Sequence, residues 1–267
     1  MRETEPGPRL RDADLDLIRE AAAEAGQIAL GYFGKDPDVW LKGGRSPVSE
    51  ADIKVDRFLR ETLTAARPDY GWLSEETQDS PERLDARRTF VVDPIDGTRG
   101  FLAGSDAWCV SIAVIEDGKP LAGVLQCPAK SETFWATPAQ GAFLDGRGIS
   151  VRQPGEPAMV GGPKTLVGAV AEPLRSGIKP ASYVPSLAYR LALLACGRLD
   201  ATFVGPNSHD WDLAAADLIL SEAGGLILNE YGQAPIYGRS EVRHGALVAG
   251  SGDLVRALAK TIDTQGA

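Results

Sequence analysis

Four short stretches of this sequence carry acids at spacings suited to binding cations. Phe90-Val91-Val92-Asp93-Pro94-Ile95-Asp96-Gly97-Thr98 runs from an apolar strand into two carboxylates three residues apart. Pro94 fixes φ and removes a donor, so the chain turns there. Gly97 and Thr98 follow with small side chains and free N–H groups, the makings of an anion cradle. Asp93, Asp96 and the carbonyl of Ile95 between them can converge on a hard, oxygen-seeking cation such as Mg2+. The Asp96-Gly97 pair is also what an ordinary turn after a strand uses. In Ser74-Glu75-Glu76-Thr77, two adjacent acids sit in a loop, a pattern that otherwise marks a solvated face. Asp52 follows Ser49 by three residues, where an acid completes a capping box and suits the helix dipole. Asp212, in Trp211-Asp212-Leu213-Ala214-Ala215-Ala216, is again an acid in a first helical turn, with His209 and Asp210 beside it.

A magnitude joins the four stretches. Two carboxylates ~4 Å apart repel by about 4 kcal/mol at an effective dielectric of roughly 20, so several will not share a cleft without protons or cations. The chain has only two histidines and three scattered cysteines (Cys109, Cys127, Cys196), which argues against a histidine-rich or zinc site and against a disulfide framework. Oxygen-bound Mg2+ is the natural counter-ion. The net charge of −9 repels a nucleic-acid backbone, so no nucleic-acid polymer is expected as partner. Bound cations reverse the local field, which lets an acidic protein take a phosphate. No apolar run approaches the ~20 residues of a membrane helix, and residues 1–6 are polar, so the expected location is cytoplasmic, with no membrane partner.

The elements that must position these residues follow from periodicity. Leu17, Ala21, Ala25, Ile28 and Tyr32 predict a helix over 12–33. A Gly- and Pro-containing loop through residues 42–47 precedes a second helix, which starts after Ser49 and stops before Pro68. Strands are predicted over 89–93, 108–115, 121–126, 133–137 and 142–144, with a hairpin turn at Glu116-Asp117-Gly118-Lys119. The second half alternates: strand 166–170, helix 186–196, strand 201–204, helix 211–223 closed by Gly224-Gly225, strands 226–228 and 247–249, and helix 252–262. A strand meander followed by alternating elements implies layers of helix and sheet. The Pro- and Gly-rich stretch over 153–163 suggests two subdomains, 1–155 with most of the acids and 156–267 with Asp212.

The order and spacing of these motifs resemble the inositol monophosphatase superfamily of lithium-sensitive, metal-dependent phosphatases, from Lys42 through Gly225 and beyond. The resemblance implies an α/β (α+β) fold, a layered αβαβα sandwich of the inositol monophosphatase and fructose-1,6-bisphosphatase type, and a homodimer. It implies two or three Mg2+ ions per site, with Glu75, Asp93 and the Ile95 carbonyl holding the first and Asp93, Asp96 and Asp212 the second. Glu75 would also hold a weaker third ion, with Glu76 behind it. Thr98 and Asp52 would orient and deprotonate the attacking water, the Gly97 and Thr98 amides would hold the phosphate, and Lys42 would stand near the site on a flexible loop. The implied reaction is in-line attack of a cation-activated water on a phosphate monoester of a small metabolite.

Residues 98–104 and 108–112 look closer to bacterial 3′(2′),5′-bisphosphate nucleotidases than to animal inositol monophosphatases. Arg190, on the helix beginning near Ser186, falls where that branch tends to carry a base, and a second cation suits a substrate with two phosphates, such as 3′-phosphoadenosine 5′-phosphate. Ser186 and Arg190 are therefore expected on the substrate side, although an arginine there is equally a surface helix residue. Residues 171–176 lack the Ser-Arg-Ser-type segment common in nucleotidases, and Gly100 and Ala103 replace larger polar residues. Inositol 1-phosphate and histidinol phosphate stay open as substrates. A non-catalytic metal- or phosphate-binding regulator is the alternative of another class.

Overall fold

A computed structural model describes residues 8–43 and 46–262. Residues 1–6, read above as polar, lie outside the described residues, as do Gly44 and Arg45 of the predicted loop.

Helix α1 (Pro8–Leu30) buries Ile18, Ala21, Ala22, Ala25 and Ala29 at helical spacing. A hairpin of β1 (Val39–Lys42) and β2 (Ser46–Ser49) leads into α2 (Glu50–Ala66), capped by Ser49, whose Val55, Leu59 and Leu63 face the same apolar cluster. A mixed seven-stranded sheet follows: β3 (Gly71–Ser74), β4 (Arg88–Asp96), β5 (Cys109–Glu116), β6 (Lys119–Cys127), β7 (Glu132–Ala136), β8 (Ala142–Leu144) and β9 (Arg147–Ile149), ordered as numbered, with β3 parallel to β4 and the rest antiparallel. Every residue of β4 is buried. Phe90 and Val92 pack toward α1 and α2, and Val91 toward the opposite face, the period-2 alternation of a strand covered on both sides.

Five strands build the second sheet, in the order β11 (Ile178–Pro180), β10 (Ala158–Gly161), β12 (Ala201–Val204), β16 (Leu247–Gly250), β14 (Leu226–Leu228). The short β13 (Ser208–His209) and β15 (Arg243–His244) pair separately. Helices α5 (Leu187–Ala195) and α6 (Asp210–Glu222) lie between the two sheets and share one cluster with both. On the far side of the second sheet, α4 (Lys164–Gly168) and α7 (Gly252–Ile262) bury Leu166, Val167, Val255 and Leu258. A short α3 (Thr98–Leu102) follows β4. The layers read α, β, α, β, α, the predicted sandwich. No helix among the described residues is long and apolar enough to cross a membrane.

Three expectations are corrected. The strand predicted over 166–170 is α4. Pro163 precedes its first turn, and Leu166, Val167 and Val170 gather on one buried side, a helical grouping that so short an apolar run hides. The strand of that region is β10, inside the Pro- and Gly-rich stretch 153–163 where no strand is predicted; it pairs in parallel with β11 and β12. The 42–47 loop is largely the β1–β2 hairpin, whose exposed residues follow no core pattern.

Candidate active site

The end of β4 makes the centre. Its pairing with β5 slips between Asp93 and Asp96, where Pro94 cannot donate to the ladder. Asp93 and Asp96 therefore both stand at the strand's end, and Asp93 Oδ1 accepts from Ile95 N at 3.0 Å. Gly97 follows at φ +95°; a Cβ there would also lie about 3.0 Å from Ser186. Asp212 arrives from the entry of α6, held by the backbone N–H of His209 at 2.7 Å. Asp93, Asp96 and Asp212 offer carboxylate oxygens within 4.8 Å of one another. Glu75, in the turn leaving β3, acts on Asp93 more strongly than any other carboxylate does.

Asp52 caps α2 and also meets Thr98. Oδ2 takes the backbone N–H of Ser49 at 2.8 Å and the Ser49 hydroxyl at 2.5 Å, closing the capping box, while Oδ1 faces Thr98 Oγ1 at 3.0 Å. The Thr98 hydroxyl lies equally 3.0 Å from the Ile95 carbonyl, so its single proton chooses between a base and a backbone oxygen beside the acids. Lys42 reaches in from the hairpin, donating to the Glu75 carbonyl and standing 3.5 Å from Glu76 Oε2. Lys42, Glu75 and Glu76 line a cleft of about 640 Å³ with Ser74, Thr77, His209 and Trp211, the last two rings stacked at 4.5 Å.

The electrostatics follow from burial. Desolvation pushes Glu75 up to about 8, with the charges of Asp212 and Glu76 adding to it. Desolvation likewise raises Asp96 to about 7, again with Asp212 adding, and carries Asp93 well above the usual carboxylate range. Burial also raises Asp52, offset in part by the hydrogen bonds from Ser49 and Thr98. Hard oxygen donors this crowded, and this reluctant to ionise together, fit a metal site.

The sequence model of the inositol monophosphatase family matches residues 12–266. The chain belongs to this family. It is 33% identical to the inositol-1-monophosphatase of Mesorhizobium japonicum, over 94% of this chain and 97% of that one. It is 30% identical to a 3′(2′),5′-bisphosphate nucleotidase of Aggregatibacter actinomycetemcomitans, over 85% and 88% of the two chains. The solved extragenic suppressor protein of Bartonella henselae superposes with a TM-score of 0.83 at 29% identity, covering 96% of this chain and 100% of that one. Members of the inositol monophosphatase family are phosphatases, and this chain is a hydrolase of phosphomonoesters with an acidic cluster fitted for metal.

The two residues expected on the substrate side, Ser186 and Arg190, are both buried. Ser186 is fully buried behind Asp96. Its hydroxyl donates to Asp96 Oδ2, which also takes Ala188 N at 2.6 Å, while the same Oγ caps α5 by accepting from Tyr189 N at 3.0 Å. Arg190 is 9% exposed, not a surface residue. It donates to the Val184 carbonyl at 3.2 Å and lines a second cavity of about 330 Å³ with Lys164, Arg175, Val160 and Tyr183. Burial lowers its guanidinium pKa, and the charge of Asp96 works against that.

Sequence reading missed other members of the site. Asp56 sits one turn beyond Asp52 on the same face of α2, a spacing of four that was visible. Asp210, 1% exposed, takes His244 Nε2 at 2.7 Å and Gly238 N at 2.7 Å, tying α6 to the chain before β16. No local pattern announces that second partner.

Proposed function

We propose that this enzyme is a Mg2+-dependent phosphatase of the cytoplasm, working as a homodimer and inhibited by lithium, whose substrate is 3′-phosphoadenosine 5′-phosphate. Glu75, Asp93, the Ile95 carbonyl, Asp96 and Asp212 would hold two or three Mg2+ ions. When bound, the cations supply Lewis acidity and neutralise charge on the phosphoryl oxygens. The chain's own groups do the rest. Thr98 orients the attacking water, and Asp52, raised by burial, accepts its proton through Thr98. The amides of Gly97 and Thr98 steady the phosphate, Glu76 supports Glu75, and Lys42 closes the rim.

The observation that carries the substrate reading is the second cavity. Arg190, Lys164 and Arg175 bring three positive side chains to one pocket. Arg190 stands one helical turn past Ser186, which bonds Asp96. Val160, Val167, Pro180 and Ala181 make much of the remaining wall, which suits a flat base and offers a polyol few hydrogen-bond partners. Similarity to the inositol-1-monophosphatase of Mesorhizobium japonicum favours inositol 1-phosphate as a second reading, and histidinol phosphate is a third candidate. Comparing kcat/KM for these three compounds tests the choice. A preference of at least ~100-fold for the nucleotide, lost in Arg190→Ala, is expected; indifference to the adenine and its second phosphate contradicts the assignment.

A further inference from the structure

Asp56 is a buried carboxylate that the reaction as described does not use. It is 8% exposed, on the inner face of α2, four residues after Asp52. Each of its oxygens takes a hydroxyl from the acid loop. Ser74 Oγ donates to Oδ1, and Thr77 Oγ1 donates to Oδ2 at 2.7 Å. These two residues bracket Glu75-Glu76. Ser74 Oγ in turn accepts from Glu76 N at 3.4 Å, and Glu75 N is tied to the Val92 carbonyl at 3.2 Å. The loop is thus tied to the sheet through Glu75 N and to α2 through Asp56, with Lys42 donating to the Glu75 carbonyl from the hairpin.

We infer that Asp56 is a positioning residue that fixes the direction of the Glu75 carboxylate for a bound divalent cation. The inference rests on Glu75 being a cation ligand, as proposed above. An acid suits the task because an ionised carboxylate is acceptor-only and can take both hydroxyls at once, in charge-assisted bonds. The same helix carries Asp52 to Thr98 one turn earlier, so α2 sets the spacing between the water-handling pair and the Glu75 loop. Groups that hold a metal ligand in place typically change metal affinity 10–100-fold when removed.

Mn2+ binding followed by electron paramagnetic resonance tests this, with wild type, Glu75→Gln, Asp56→Asn, Thr77→Val and Thr77→Ser compared alongside their melting temperatures. Glu75→Gln should abolish one class of Mn2+ sites. Asp56→Asn should weaken that same class at least ~10-fold and leave the other within about twofold, Thr77→Val should weaken it less, and Thr77→Ser should bind like wild type. If Asp56→Asn does not fold, Ser74→Ala combined with Thr77→Val carries the same expectation. Asp56→Asn, or the Ser74→Ala, Thr77→Val double variant in its place, binding Mn2+ like wild type or losing both classes in step with its melting temperature overturns the positioning role. If Glu75→Gln itself binds Mn2+ unchanged, the ligand assignment beneath it fails instead.

Discussion

Asp96 has one oxygen held by the entry of α5 and works beside Asp93 and Asp212, so it must be kept still and also kept charged. Asp96→Asn or Asp212→Asn should fold nearly normally and lose at least ~100-fold in turnover, because each removes a carboxylate from the proposed cation site; circular dichroism and a phosphate-release assay check both halves. Ser186→Ala removes the hydroxyl on Asp96 and the cap of α5 together. It should cost about 1 kcal/mol in urea unfolding and raise the Mg2+ needed for half-maximal activity ~10-fold. The raised acids also set a pH dependence. Glu75 at about 8 and Asp96 at about 7 bind protons in the folded state that the unfolded chain has released above about pH 4–5. With more protons on the native state, stability falls as pH rises. The cation-free protein should therefore melt at lower temperature at pH 8 than at pH 5.5, and added Mg2+ should raise the melting temperature more at pH 8. Equal melting at both pH values without cations contradicts the shifts.

Elements deliver these residues, and their packing is what a small change would disturb first. Gly123 on β6 meets α6 closely: a Cβ there would lie 3.0 Å from the Ala215 carbonyl oxygen. Gly123→Ala should destabilise the fold by about 1–3 kcal/mol and lower activity by shifting Asp212, which rides on the same helix; urea unfolding with a parallel activity assay reads both. At this scale the helices were the most legible parts. Residues 50–66 and 252–262 repeat apolar side chains every three or four positions, and packing agrees with that pattern. The parallel-paired strands at 71–74 and 158–161 were least legible, whereas the short strands at 142–144, 201–204 and 226–228 were read at their observed bounds. Residues 158–161 and 71–74 lie parallel to neighbours far along the chain, so nothing adjacent in sequence marks their partners. Leu166-Val167-Gly168 has β-like composition, yet it folds as a helix because the strand place beside β12 is already filled by β10.

Across the whole molecule, α2, the ends of β3 and β4, and the entry of α6 bring chain positions 52, 75, 93–98 and 212 together. The acids could be read from sequence because their types and order leave few other uses for them. Their supports could not. Sequence places Ser186 only by its position relative to Arg190; the docking of α5 against the end of β4 is what turns its hydroxyl onto Asp96. Arg190 is buried rather than a surface helix residue, with its guanidinium 3.5 Å from the Phe203 carbonyl of β12, and it lines the second cavity. The claim beneath all of this is that the converged acids work only with divalent cations. The most direct measurement is phosphate release by chelator-stripped protein as Mg2+ is added back. Turnover should be absent without the ion, rise saturably with it, and stay at least ~100-fold lower in Asp212→Asn at any Mg2+ concentration. Full turnover in excess chelator, or an Asp212→Asn variant that matches wild type, would contradict it.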